Sequence, residues 1–127
     1  MPDKKTVLVV EDNDFVRMQI ASYLKEADYA ILEAKEGESA LDTMQANPGI
    51  DLAIVDVRME PVGGFEFVKD IRSREIQTPV ILVTGDQTSD ILEQAGKLGV
   101  NAVLMKPIEK KRLVGTVDRT LKVRRAS

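Results

Sequence analysis

Short runs of β-branched and other apolar residues alternate five times with longer amphipathic stretches along this chain. That alternation is the pattern of successive βα units laid around one parallel sheet. The runs that read as strands fall at residues 6–10, 29–34, 52–55, 80–84 and 102–105. The first helix is expected from about residue 14 to 25, where Val16, Ile20, Leu24 and Ala27 recur at steps of three and four and so share a face, with Asn13 or Asp14 as its cap. The second runs from about residue 38 to 45 and stops at the turn signal Asn47-Pro48-Gly49. The third carries Phe65, Val68 and Ile71. The fourth starts near Ser89 with Gly99 as its left-handed terminator, and the fifth carries Leu113, Val114, Val117 and Leu121.

Strands one, three and four (VLVV, LAIV, VILV) are apolar throughout, as expected of parallel strands covered by helices on both faces. The second is more mixed and the fifth is short, so both belong at the edges. The expected fold is therefore α/β: a doubly wound, five-stranded parallel sheet of order 2-1-3-4-5 with five helices, a flavodoxin-like arrangement. With 127 residues, 43% apolar and 31% charged, the chain suits one domain, expected over residues 1–122, with a basic tail or the start of a linker at 123–127.

Composition narrows the chemistry. There is no Cys and no His, which removes disulfides, thiolate and ordinary zinc sites, imidazole bases and a phosphohistidine carrier. Carboxylates, Lys, Arg and hydroxyls remain, and these suit hard cations and phosphoryl groups. No apolar run approaches the roughly 20 residues of a membrane helix, and Met-Pro-Asp-Lys-Lys leads straight into a β-like run, so a cytoplasmic protein is expected. Residues 106–127 carry a net +6 against −9 for residues 1–105, which reads as a solvated last helix with cations near its C-terminus.

A parallel sheet delivers the C-terminal ends of all its strands to one edge. Glu11 and Asp12 follow strand one, Asp56 follows strand three, Thr84 ends strand four and Lys106 follows strand five. Each has an ordinary reading by itself: an Asp after a strand is often a helix cap, Thr84 is a normal strand residue and a Lys before Pro is often a surface charge. Together they put three carboxylates, a hydroxyl and an ammonium at one edge. Three neighbouring carboxylates repel one another and push at least one towards its neutral form, a cost that a divalent ion removes. Without His or Cys the natural ion is Mg²⁺.

These residues resemble the receiver domains of two-component response regulators over essentially residues 5–122. The family pattern is an acidic pair after strand one, an Asp after strand three followed by a Met and Gly loop, a Thr or Ser after strand four, and Lys-Pro after strand five. Here they read Val-Val-Glu11-Asp12, Val-Asp56-Val-Arg-Met59 with Gly64, Val-Thr84-Gly85 and Met-Lys106-Pro107. The resemblance implies that Asp56 is the phosphoacceptor and nucleophile, supplied by the phosphohistidine of a sensor histidine kinase or a histidine phosphotransfer protein. It implies a Mg²⁺ site from Glu11, Asp12, Asp56 and the Arg58 carbonyl. Lys106 offsets charge on the transferring group, Thr84 donates to a phosphoryl oxygen, Gly85 leaves room for that oxygen, and the Lys106-Pro107 bond is cis.

The output face would be helix four, strand five and helix five, meeting an output domain, a partner protein or, on phosphorylation, a second copy. Neither direct nucleic-acid binding nor a membrane contact is expected. Two departures from the family pattern bear on propagation. Val103 stands where many members carry an aromatic switch residue, and Pro61 lies one place later than is common. Arg58 and Asp86 flank the acceptor and are expected to pair across it and restrict hydrolytic water. Three other classes compete with this reading. A Mg²⁺-dependent Asp-nucleophile phosphatase wants a second Asp where Arg58 stands. A flavodoxin-like small-molecule binder wants a Gly-rich loop where Glu11-Asp12-Asn13-Asp14 stands. A degenerate receiver serving as a docking module would not need the complete acidic site.

Overall fold

The computed structural model describes residues 4–60, 62–86 and 88–122; Pro61 and the expected tail at 123–127 lie outside them. The chain runs β1 (Thr6–Val10), α1 (Asp14–Glu26), β2 (Ala30–Ala34), α2 (Gly37–Ala46), β3 (Leu52–Asp56), α3 (Gly64–Ser73), β4 (Val80–Thr84), α4 (Ser89–Lys97), β5 (Ala102–Met105) and α5 (Lys110–Leu121). All strand pairings are parallel, and the order is β2-β1-β3-β4-β5, as the strand compositions predict.

The pleat sends alternate residues to opposite faces, and each face has its own core. Leu8, Val10, Ala53, Val55, Val80 and Leu82 pack with Ala40 and Met44 of α2, Phe67, Val68 and Ile71 of α3, and Ala95 of α4. Val7, Val9, Leu52, Ile54, Ile81 and Val83 pack with Ile20 and Leu24 of α1 and Leu113 and Val117 of α5. This double coverage is why the three central strands carry polar residues only at their first or last position, Thr6, Asp56 and Thr84. Each fully buried Val, Leu or Ile contributes about 1.5–3 kcal/mol through the area it removes from water. The edge strands β2 and β5 are only half-buried.

The ends of the elements follow local chemistry. The Asn13 side chain accepts from Val16 N at 3.1 Å and caps α1. The N–H of Tyr29 donates to Leu24 O at 3.0 Å, after Asp28 at φ 73°, so it finishes α1 and the second strand opens at Ala30, one residue later than the apolar run suggests. The Glu36 carboxylate accepts from Glu38 N at 2.7 Å and Ser39 N at 3.0 Å, and the Ser39 hydroxyl accepts from Glu36 N at 3.4 Å. This reciprocal cap starts α2 at Gly37, ahead of the expected residue 38. Gly99 has φ +68° after α4, as its position predicts, and the Lys106-Pro107 peptide is cis. No described helix is long and apolar enough to cross a membrane.

Registers align the strand ends. Val10 sits beside Val55, Asp56 beside Val83 and Thr84 beside Met105, so the residues that end or follow β1, β3, β4 and β5 come together at one edge.

Candidate functional site

The Glu11 backbone prolongs the ladder, its N–H donating to Ala34 O at 3.1 Å, and its side chain is buried, 1% exposed. Glu11 Oε2 accepts from Asn13 N at 3.1 Å. Asp56 ends β3 and is 5% exposed, whereas Asp12 stands at the exposed rim. One carboxylate oxygen from each of Glu11, Asp12 and Asp56 lies within 4.8 Å of the other two. Lys106, just after β5, reaches the same cluster. Its N–H donates to Thr84 O at 2.8 Å, and its Nζ stands 2.8 Å from Glu11 Oε1 and 3.3 Å from Asp56 Oδ2.

Burial, reinforced by the hydrogen bond and charge of Glu11, raises the Asp12 carboxyl above its ordinary pKa. Burial works against the Lys106 ammonium, but Glu11 and Asp56 outweigh it and its pKa is raised, so Lys106 stays cationic. Glu11 Oε1 is buried and receives no aligned hydrogen bond, although the ammonium of Lys106 lies close. Three carboxylates whose oxygens lie this close fit a hard, oxygen-seeking cation, which needs such lone pairs. The acidic cluster can hold a metal ion.

The remaining expected residues fall around this cluster. Thr84 is buried, and in this structure its hydroxyl donates to Asp86 O at 2.9 Å and accepts from Asp86 N at 3.0 Å; it serves its own turn. A Cβ placed on Gly85 would meet nothing within 4 Å, so the backbone there is not crowded. The N–H of Arg58 approaches Asp56 Oδ1 at 3.4 Å, and Arg58 Nη2 donates to Asp86 Oδ2 at 3.1 Å, joining the loops after β3 and β4 at the surface. Val103 is half-buried against the core under α2, α3 and α4.

Two close approaches fix the loop that follows Asp56. A Cβ on Gly64 would stand 2.4 Å from Asp56 O, and one on Gly37 would stand 2.4 Å from Val62 Cγ1. The N–H of Gly64 donates to Val57 O and that of Gly37 to Val62 O, both at 3.1 Å. Sequence reasoning gave Gly64 only as part of a motif and missed Gly37. It also missed Arg17, although its spacing of three from Asp14 and of three, four and seven from Ile20, Ala21 and Leu24 puts it in line with the buried face of the helix.

The comparisons agree with this geometry. The family model of the response regulator receiver domain matches residues 7–118. The transcriptional regulatory protein PdtaR of Mycobacterium tuberculosis is 31% identical over 115 residues, which are 90% of this chain and 55% of that protein. The chemotaxis protein CheY4 of Vibrio cholerae superposes with a TM-score of 0.87 at 29% identity, covering 92% of this chain and 98% of that one. A response regulator receiver protein from Pseudomonas putida gives 0.88 at 30%, covering 94% and 99%. The chain spans 17% to 55% of the length of the first curated relatives it matches. On the family match, the parallel fold and the acidic edge together, the chain belongs to the response regulator receiver domains of two-component signalling.

Proposed function

We propose that Asp56 takes a phosphoryl group from the phosphohistidine of a sensor histidine kinase or a histidine phosphotransfer protein, and that the product switches the face formed by α4, β5 and α5. The observation that supports this reading is the meeting of Asp56 with Glu11, Asp12 and the Lys106 ammonium at one edge of the sheet. An Asp56 carboxylate oxygen attacks phosphorus, the P–N bond breaks, and its electron pair stays on the ring nitrogen of the donor, which leaves as neutral imidazole because the phosphorylated ring carries a proton on its other nitrogen. Lys106 offsets charge on the phosphoryl oxygens, and the Thr84 hydroxyl exchanges Asp86 for one of them beside Gly85. Glu11, Asp12, Asp56 and the Arg58 carbonyl would hold Mg²⁺, which when bound supplies positive charge to the same oxygens.

Hydrolysis reverses the modification: water attacks phosphorus, the P–O bond to Asp56 breaks, and the carboxylate and inorganic phosphate result. The Arg58–Asp86 ion pair at 3.1 Å supports a role in screening that water. With Val103 in place of an aromatic residue, the signal passes through the loops after β4 and β5 to α4, and from there to an output domain, a partner protein or a second copy. We assign residues 1–122 to the receiver, with 123–127 as tail or linker, and place its work in the cytoplasm, without direct nucleic-acid or membrane contact. The phosphatase and docking-module readings are not favoured.

Incubation with acetyl phosphate and Mg²⁺, followed by intact mass, tests the assignment. One phosphoryl group should be gained by the wild type and none by Asp56→Asn; an unmodified wild type, or a modified variant, would refute it.

A further inference from the structure

We infer that Arg17, which the phosphoryl-transfer reading does not use, is a positioning residue that holds the peptide between Glu11 and Asp12 in the orientation a divalent cation requires. The inference rests on the metal site proposed above. Arg17 lies on α1 and is 9% exposed, the one buried cationic residue among those described. A buried guanidinium is costly unless its N–H groups find acceptors, and this one has them on three sides. Nη1 donates to the Glu11 carbonyl at 2.9 Å, Nη2 to Asp14 Oδ1 at 2.6 Å and Nε to Glu33 Oε1 at 3.0 Å. Only a planar fork of fixed donors reaches acceptors in such different directions.

The contact with Glu11 falls on the carbonyl that joins the two acidic residues. The other side of the same residue is tied by Glu11 N–H to Ala34 O and by Glu11 Oε2 to Asn13 N. Three carboxylates drawn together would relax most simply by rotating the 11–12 peptide and swinging Asp12 outward. Arg17 blocks that rotation, and Glu33 of β2 and Asp14 of α1 keep the guanidinium from following. Groups that orient metal ligands from one shell out cost about 10–100-fold in metal affinity when removed.

Calorimetric titration of Mg²⁺ into the wild type, Arg17→Met, Arg17→Lys and the control Arg74→Ala tests this. Arg74 pairs with Asp70 on the exposed side of α3. Arg17→Met should raise Kd about tenfold, while its phosphorylation rate from acetyl phosphate at saturating Mg²⁺ stays within about threefold of wild type. Arg17→Lys keeps the charge but not the fork, and its Kd should remain raised several-fold; Arg74→Ala should be unchanged. A folded Arg17→Met that binds Mg²⁺ as the wild type does overturns the inference, as does full recovery with Lys. Should Arg17→Met fail to fold, Glu33→Gln, which loosens the anchor from the half-exposed side, should raise Kd about threefold, and an unmoved Kd overturns it equally. A wild type that shows no Mg²⁺ binding overturns the metal reading as well, which separates the two failures.

Discussion

The two edges of the sheet are built from similar residues and finished in opposite ways. At the edge where the strands begin, polar groups are used up. Asp51 Oδ2 accepts from Thr6 N at 2.8 Å, Asn101 Oδ1 accepts from Val80 N at 3.1 Å, and Arg72 Nη1 donates to the carbonyls of Ile76 and Thr78 at 2.8 and 3.0 Å. At the edge where the strands end, three carboxylates crowd together, Glu11 Oε1 lacks an aligned donor, and the Thr84 hydroxyl is spent on its own turn. One edge closes the fold; the other keeps acceptor capacity in reserve at a cost the double core offsets. Buried polar groups left incompletely matched are where a ligand is expected.

Substitutions at the two edges should therefore behave differently. The largest effect on stability is expected from Gly64→Ala, whose new methyl must displace the Asp56 carbonyl: a loss of about 1–3 kcal/mol in urea unfolding, with slower phosphorylation because the acceptor loop shifts. Asp51→Ala at the finished edge should cost about 1 kcal/mol by leaving the Thr6 N–H without its acceptor, yet leave the phosphorylation rate as it was. A changed rate would mean that the edges are coupled.

Arg58→Ala removes an exposed pair, 74% and 48% exposed, so stability should move by less than about 0.5 kcal/mol. The lifetime of the phosphorylated form should shorten, and an unchanged lifetime in a dephosphorylation time course removes the screening role. The smallest effect is expected from Asp12→Asn without metal. The folded state raises the Asp12 pKa, so it binds that proton more tightly than the unfolded chain does, and stability falls as pH climbs from 3.8 through the folded value. The variant should melt slightly higher than wild type at pH 7, the advantage fading below pH 3.8, and added Mg²⁺ should stabilise the wild type more than the variant.

The sheet was legible because its determinants are local and repeated. Continuous apolar runs mark β1, β3 and β4 as central, the mixed run at 29–34 and the short β5 mark the edges, and strand ends gather Glu11, Asp12, Asp56 and Lys106. What escaped depends on partners far along the chain. Helical spacing puts Arg17 on the same face as the buried Ile20, Ala21 and Leu24, but α1 alone does not reveal its partners, since its anchor Glu33 lies on β2 and its acceptor is a main-chain carbonyl. Gly37 matters only because Val62 folds against it. Tyr29 is β-like in composition, yet its N–H is taken by the end of α1. The rotamer of Thr84 is set by a turn, and strand pattern carries no record of it.

The order of the site residues along the chain also sets a timetable. Lys106 lies 50 residues beyond Asp56, so a ribosome adds Glu11, Asp12 and Asp56 before the ammonium that pairs with them exists. A nascent chain paused between the fourth and fifth strands carries its acids without the internal countercharge of the finished protein. Protection of such truncated chains from proteolysis should respond to divalent salt more strongly than that of the full-length product.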